Sequence, residues 1–150
     1  MSELDQQYMQ EAIEEARAAE RAGEVPVGAV LTLDGQVIGR GSNRTLRDTD
    51  PTAHAEIVAI RAGARAVGNY RILGATLYVT IEPCAMCAGA VIQARIARLV
   101  YGADDPKGGA VRSCFEILND PRLNHRLEVE AGVMAEEAAS LLQSFFASRR

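Results

Sequence analysis

Two short runs hold residues whose types and spacing could do chemistry: His54-Ala55-Glu56, and Pro83-Cys84-Ala85-Met86-Cys87. A lone CxxC is a weak signal. Headed by proline and preceded by an HxE, it is a strong one. One imidazole and two thiolates make a zinc donor set with one coordination position left for water. Glu56 then has a separate task, because a carboxylate near the metal but off it can move protons for a reacting group. Taken singly, each residue has an ordinary explanation. His54 would be a helix-start histidine, and Glu56 a first-turn glutamate favouring the helix dipole. Cys84 and Cys87 would be a thiol redox pair or half of a structural zinc knuckle. A closed four-ligand site needs another Cys or His, and only Cys114 and His125 remain, neither at ligand-pair spacing. Together the four residues read as a catalytic zinc site.

The elements that must position them follow from periodicity. Tyr8, Met9, Ala12, Ile13, Ala16 and Ala19 recur at helical spacing over 5–22, with Gly23 as a stop. An apolar run over 25–33, the turn signal Asp34-Gly35 and a return over 36–41 read as a hairpin. A polar loop over 42–52 leads to a helix that starts near Thr52 or Ala53 and ends at Gly68. A strand over 76–81 runs into a helix opened by Pro83, where a missing N–H costs nothing, and carrying both cysteines to about Ala94. A strand over 99–103, a Gly-rich loop over 104–109, a helical turn over 114–118, a strand over 127–133 and a helix over 135–148 complete the chain. Hairpin strands pair antiparallel and strands joined through helices can run parallel. The expectation is a single α/β domain over 1–150, a three-layer α/β/α fold around a mixed sheet.

Both reactive runs then fall at helix N-termini, which carry free N–H groups and partial positive charge. That placement favours thiolates at Cys84 and Cys87. Their i, i+3 spacing puts both sulfurs on one side of the helix. His54 and Glu56 would diverge inside a helix, at about 100° per residue. At a first turn both can reach past the helix end, so the site is expected to cap its helix.

Composition sets the outer bounds. The chain has 150 residues, 48% of them hydrophobic and 24% charged, the balance of a soluble globule. No apolar run approaches the ~20 residues that span a bilayer. The start, Met1-Ser2-Glu3-Leu4-Asp5, is acidic where a secretory signal would be basic then apolar, and the protein is expected in the cytoplasm. Three cysteines with one close pair suit a metal site better than a disulfide framework, which leaves Cys114 as a small buried hydrophobe. The net charge of −4 argues against a grip on long phosphate backbone. Any RNA partner must be a small, shaped target met by a local basic surface.

Several motifs around the reactive runs carry a more specific resemblance. They are Glu24-Val25-Pro26-Val27-Gly28-Ala29-Val30, Pro51-Thr52-Ala53-His54-Ala55-Glu56 and Glu82-Pro83-Cys84-Ala85-Met86-Cys87-Ala88-Gly89-Ala90. Asn69-Tyr70-Arg71, Asp105 through Gly109, Asn124-His125-Arg126 and Phe145-Phe146 with Arg149-Arg150 extend it along nearly the whole chain. The pattern resembles the bacterial tRNA-specific adenosine deaminases of the cytidine deaminase superfamily. The resemblance implies a cytidine-deaminase-like fold with a five-stranded mixed sheet, and a homodimer with one Zn2+ per subunit. It implies hydrolytic deamination of the wobble adenosine in a tRNA anticodon loop to inosine, with no DNA and no membrane partner. By that pattern His54, Cys84 and Cys87 hold the metal and Glu56 shuttles protons. Asn43 would meet the base edge, Val27 and Ala55 would line the pocket, and Asp105 and Lys107 would lie near flanking nucleotides. Phe145 and Phe146 are expected as packing aromatics, with Arg149 and Arg150 a solvated end. Asp104-Asp105-Pro106 departs from the pattern by an extra acid and a proline. Two other readings use the same residues. One is a deaminase of a free guanine or cytosine derivative. The other is a non-catalytic zinc-stabilised RNA-binding protein, which has no need of Glu56.

Overall fold

The structure, a computed structural model, describes residues 2–149, so Met1 and Arg150 lie outside the described residues. Strand β1 (Gly28–Leu33) returns as β2 (Gln36–Ser42) through Asp34 and Gly35, both at positive φ, as a tight hairpin turn requires. Strands β3 (Thr76–Ile81), β4 (Arg98–Ala103) and β5 (Glu128–Glu130) complete a five-stranded sheet in the order β2-β1-β3-β4-β5. β1 pairs antiparallel with both β2 and β3, whereas β3–β4 and β4–β5 are parallel. The sheet is mixed, as expected.

Alternation along the strands sorts the two faces. Val30, Tyr78 and Val100 point to one side and pack on Tyr8, Met9, Ala12 and Ile13 of α1 (Glu3–Arg21). Helix α4 (Ala135–Ala147) shares that side. Ala29, Leu31, Leu77, Val79, Leu99 and Tyr101 point the other way, onto Ala55 and Ala59 of α2 (Ala55–Val67) and Ala88 and Val91 of α3 (Ala85–Gln93). The result is a three-layer α/β/α fold. Helix α2 sits unusually close to the hairpin because Gly41 of β2 bears no side chain. A Cβ there would overlap the Ala55 carbonyl.

Element boundaries differ from the sequence reading for identifiable reasons. Helix α2 begins at Ala55, not Thr52 or Ala53, because Asp50 Oδ1 accepts from both Thr52 N (2.8 Å) and Thr52 Oγ1 (2.7 Å). That side-chain turn competes with helix and leaves His54 as the N-cap residue. Pro83 stands one place before the N-cap Cys84 of α3 and not in its first turn. β1 starts at Gly28, since Val27 N turns back to Val25 O (2.8 Å). β5 holds only three residues, cut short by the positive φ at Gly132 and Met134. Residues 114–118 form no helix; Cys114 N and Phe115 N both donate to Gly109 O. The β4–β5 crossover over 104–127 is therefore irregular, and its Ala110, Val111 and Leu118 fill the α2–α3 face where a helix would ordinarily lie. Cys114 is exposed instead of buried, its thiol donating to Pro106 O (3.1 Å). Phe145 is buried as expected, but Phe146 is half exposed. Arg149 is exposed as expected, and its guanidinium lies 3.6 Å from the Phe145 ring centroid.

Candidate metal centre and active site

The N-termini of α2 and α3 face each other across the end of the sheet. His54 and Cys84 are the N-cap residues, both with extended backbone and neither using its side chain as a cap. Their side chains are thereby free to turn toward a common point. His54 Nδ1 lies 3.6 Å from Cys84 Sγ and 3.5 Å from Cys87 Sγ. All three donor atoms lie within 4.8 Å of one another, a group able to hold one metal ion. Cys87 is fully buried, while His54 and Cys84 reach the pocket. Glu56, in the first turn of α2, is buried at 3% exposure beside them.

The electrostatics of the group are those of a shared proton set. The Cys87 thiol and the His54 ring beside it hold Cys84 down at about 3. Donating to Cys84 and being buried push Cys87 up. Cys84 also raises His54, and burial raises the Glu56 carboxyl against the pull of its own backbone N–H and of His54. The helix N-terminus alone would favour thiolate at both cysteines. Proximity moves them in opposite directions instead, Cys84 down and Cys87 up.

A pocket of about 1030 Å³ opens above this group. Of the residues singled out from sequence, His54, Glu56, Cys84, Asn43, Val27, Ala55, Asp105 and Lys107 all line it, and Cys87 lies behind. Two loops form its walls. Asn43 and Thr45 come from the loop after β2, with Thr45 N donating to Asn43 Oδ1 (3.3 Å). Asp105, Pro106 and Lys107 come from the crossover after β4. Helix α4 adds Ala139, Leu142, Gln143 and the exposed ring of Phe146, none of which the sequence reading placed at the site.

Each wall hangs on a buried carboxylate that sequence reasoning passed over. Glu24, fully buried, accepts from Leu46 N (3.1 Å), Arg47 N (2.9 Å) and Arg47 Nε (3.1 Å). Arg47 Nη2 continues to Asn43 O (2.7 Å), so the charge pair reaches the pocket wall. Burial works against ionisation of Glu24, but the Arg47 and Leu46 donors outweigh it and lower its pKa. Glu82 plays the same part under the second wall. Burial opposes its charge too, yet donors from Arg112, Ser113 and Asp105 hold it down at about 2. The extra acid noted in that loop is also engaged: Asp104 accepts from Arg112 Nε (3.0 Å), Arg112 Nη2 (2.9 Å) and the Tyr101 hydroxyl (2.9 Å).

Comparison with known proteins bears on what such a site does. A family model described as MafB19-like deaminase matches residues 3–150. The tRNA-specific adenosine deaminase of Haemophilus influenzae is 53% identical over 150 residues, covering 99% of this chain and 87% of that protein. Its counterpart in Bacillus subtilis is 49% identical over 97% of this chain and 91% of its own length. The chain belongs to the tRNA-specific adenosine deaminase family. Among solved structures, one from studies of A-to-I editing by tRNA:A34 deaminases at the wobble position superposes on this deaminase with a TM-score of 0.88. The two are 51% identical, over 91% of this chain and 99% of the other. A guanine deaminase from Nitrosomonas europaea shares the fold at a TM-score of 0.79 and 25% identity, covering 95% of this chain and 84% of its own. No helix among the described residues is long and apolar enough to cross a membrane.

Proposed function

We propose that residues 1–150 act as one zinc-dependent deaminase domain that converts the wobble adenosine of a tRNA anticodon loop to inosine, with release of ammonia. The observation that carries this reading is the convergence of Glu56 and three soft donors on the floor of one pocket. Nitrogen at ~2.05 Å and sulfur at ~2.3 Å from a tetrahedral zinc ion stand about 3.6 Å apart. The His54–sulfur separations of 3.6 and 3.5 Å fit that edge. One imidazole and two sulfurs also suit zinc by donor softness. His54, Cys84 and Cys87 would hold one ion per subunit. Zinc bound there supplies Lewis-acid activation of a water nucleophile near neutral pH.

The remaining work falls to the chain. Glu56, buried beside the donor group, takes one proton of the attacking water and delivers it to the adenine ring nitrogen, then carries the remaining hydroxyl proton of the adduct to the departing amine. Water adds at the amidine carbon, the C–N bond breaks, and inosine and ammonia leave. Asn43 offers its side-chain amide to the base edge, and Val27 and Ala55 bound the pocket in which the base would sit. Asp105 and Lys107 stand at the second wall, where flanking nucleotides would pass. An adenine in a duplex buries its amine in the groove, so such an enzyme needs an unpaired or extruded base, which an anticodon loop offers. The relatives' names support a tRNA substrate over a free base. The small, half-covered residues Gly89 and Ala90 of α3 support close helix packing in a homodimer. The cytoplasm, where tRNA is found, is the expected compartment.

The test is to incubate zinc-loaded protein with an anticodon stem-loop, with free adenosine and with free guanine. Inosine should form in the stem-loop. Turnover of a free base with an inert stem-loop would overturn the substrate assignment. The Glu56→Gln variant should keep zinc and fold and lose ammonia release. Retained activity would remove Glu56 from its role.

A further inference from the structure

The β4–β5 crossover lacks a helix, so those of its peptide N–H groups that no carbonyl within the loop serves must find acceptors elsewhere. A single side chain serves four of them. Glu82 is 2% exposed. Its Oε1 accepts from Asp105 N (3.0 Å), and its Oε2 from Val111 N (3.0 Å), Arg112 N (2.8 Å) and Ser113 N (2.9 Å). The Ser113 hydroxyl donates to Oε1 as well. Next door, Pro83 O accepts from Ala110 N (2.8 Å). Gly109 completes the cradle, since a Cβ at that position would overlap the carboxylate.

Two consequences follow from this placement. Glu82 precedes Cys84 by two positions, so the loop bearing Asp105 and Lys107 is fastened to the backbone that carries the sulfur donors. Glu82 borders the pocket, yet donors from the loop occupy both of its oxygens and leave it little capacity for a substrate. A glutamine could not replace it, because both oxygens accept and one would become a donor facing donors.

We propose that Glu82 is a positioning residue for substrate recognition: it sets the Asp105–Lys107 wall against the metal centre and thereby governs RNA affinity and the choice of flanking nucleotides. This rests on the RNA reading above. The chemical step depends instead on Glu56 and the donor group, to which Glu82 makes no hydrogen bond.

The experiment uses the full-length, zinc-loaded protein and compares wild type with Glu82→Gln, Gly109→Ala and Ser113→Ala. Gly109→Ala disturbs the same carboxylate with Glu82 intact, and Ser113→Ala removes one donor, so a Glu82→Gln that fails to fold leaves two informative variants. Glu82→Gln and Gly109→Ala should raise KM for an anticodon stem-loop by about tenfold, the scale of one or two lost hydrogen bonds. The saturating single-turnover rate and zinc content should stay within about threefold, the pattern of an interaction made equally in ground and transition states. Discrimination between stem-loops that differ beside the target adenosine should weaken, and amide exchange at Val111, Arg112 and Ser113 should quicken. Ser113→Ala should shift KM in the same direction by less. Faster exchange with unchanged KM would overturn the proposal. So would a fall in rate with zinc loss at unchanged KM, which would make Glu82 a support of the metal centre. A wild type inert on the stem-loop would overturn the RNA reading and this role with it, whereas an active wild type with unaffected variants would overturn this role alone.

Discussion

Replacing Asp5 with asparagine tests the charge pair that ties α1 to the sheet. The Asp5 carboxylate accepts from Arg98 Nη1 and Nη2 of β4, both at 2.7 Å, and from the Tyr78 hydroxyl of β3 at 2.9 Å. Arg98 dominates and holds the Asp5 pKa at about 2, against an ordinary 3.8, although burial opposes it. At ~1.4 kcal/mol per pH unit, that difference contributes about 2 kcal/mol to stability at neutral pH. A folded pKa below the unfolded one gives stability that is complete above the unfolded value and lost as pH falls through the folded value. About 1 kcal/mol should remain at pH 3, and little below pH 2. Asp5→Asn leaves the Arg98 guanidinium without its partner, but Arg98 is 28% exposed and water relieves part of the loss. We expect a cost of about 2–3 kcal/mol at pH 7, at the lower edge for a broken buried pair. Urea unfolding of both proteins from pH 7 to pH 2 measures it, and taking their difference at each pH cancels metal release, which both share. The gap should narrow from pH 4 downward and close near pH 2. A constant gap across that range would refute the assignment of this charge to folding stability.

Other outcomes follow from the pocket. Asn43→Ala should slow deamination of the stem-loop at least tenfold with zinc content unchanged, read by single-turnover kinetics, because the amide proposed for the base edge is lost. Lys107→Ala should lower stem-loop affinity and shrink the slope of log affinity against log salt by about 0.7, the value of one phosphate contact on a single strand. An unchanged slope would take Lys107 off the RNA path.

Much of the fold was legible because its signals are local. Residues 76–81 read as a short strand ending at Glu82-Pro83, and β3 has those bounds. Asp34-Gly35 marked the hairpin because few residues other than glycine and aspartate accept positive φ. The convergence of His54, Glu56, Cys84 and Cys87 was legible from residue type and from the need to begin helices near them. What the sequence concealed depends on distant partners. Glu24 and Glu82 look like surface glutamates until the loops that fold over them are seen. The available signal lay in the loops. A crossover rich in glycine, proline and polar residues, with no helical period, must borrow some of its acceptors from outside itself. Phe146 was misplaced because neighbouring residues on a helix point about 100° apart, so the burial of Phe145 turns Phe146 outward.

An acidic protein is an unpromising partner for RNA only while its charges are counted over the whole surface. Near this pocket the acids are spoken for. Asp104 is paired with Arg112, Glu24 with Arg47, and Asp105 Oδ1 accepts from Lys107 N (3.1 Å) and Gly108 N (3.3 Å). Each such carboxylate holds a wall in place and projects little field toward a phosphate. Among the described residues, Lys107 makes no ion pair, and it stands at the pocket's edge. The net charge of −4 then describes faces an anticodon loop need not meet. The field of an exposed charge decays over about 8 Å at physiological salt, so acids on the far side of the sheet count for little at the pocket. The same arithmetic suits a loop-reading enzyme. A loop of that size brings few phosphates to the pocket, which leaves discrimination to the shape of two walls fastened to the buried carboxylates of Glu24 and Glu82.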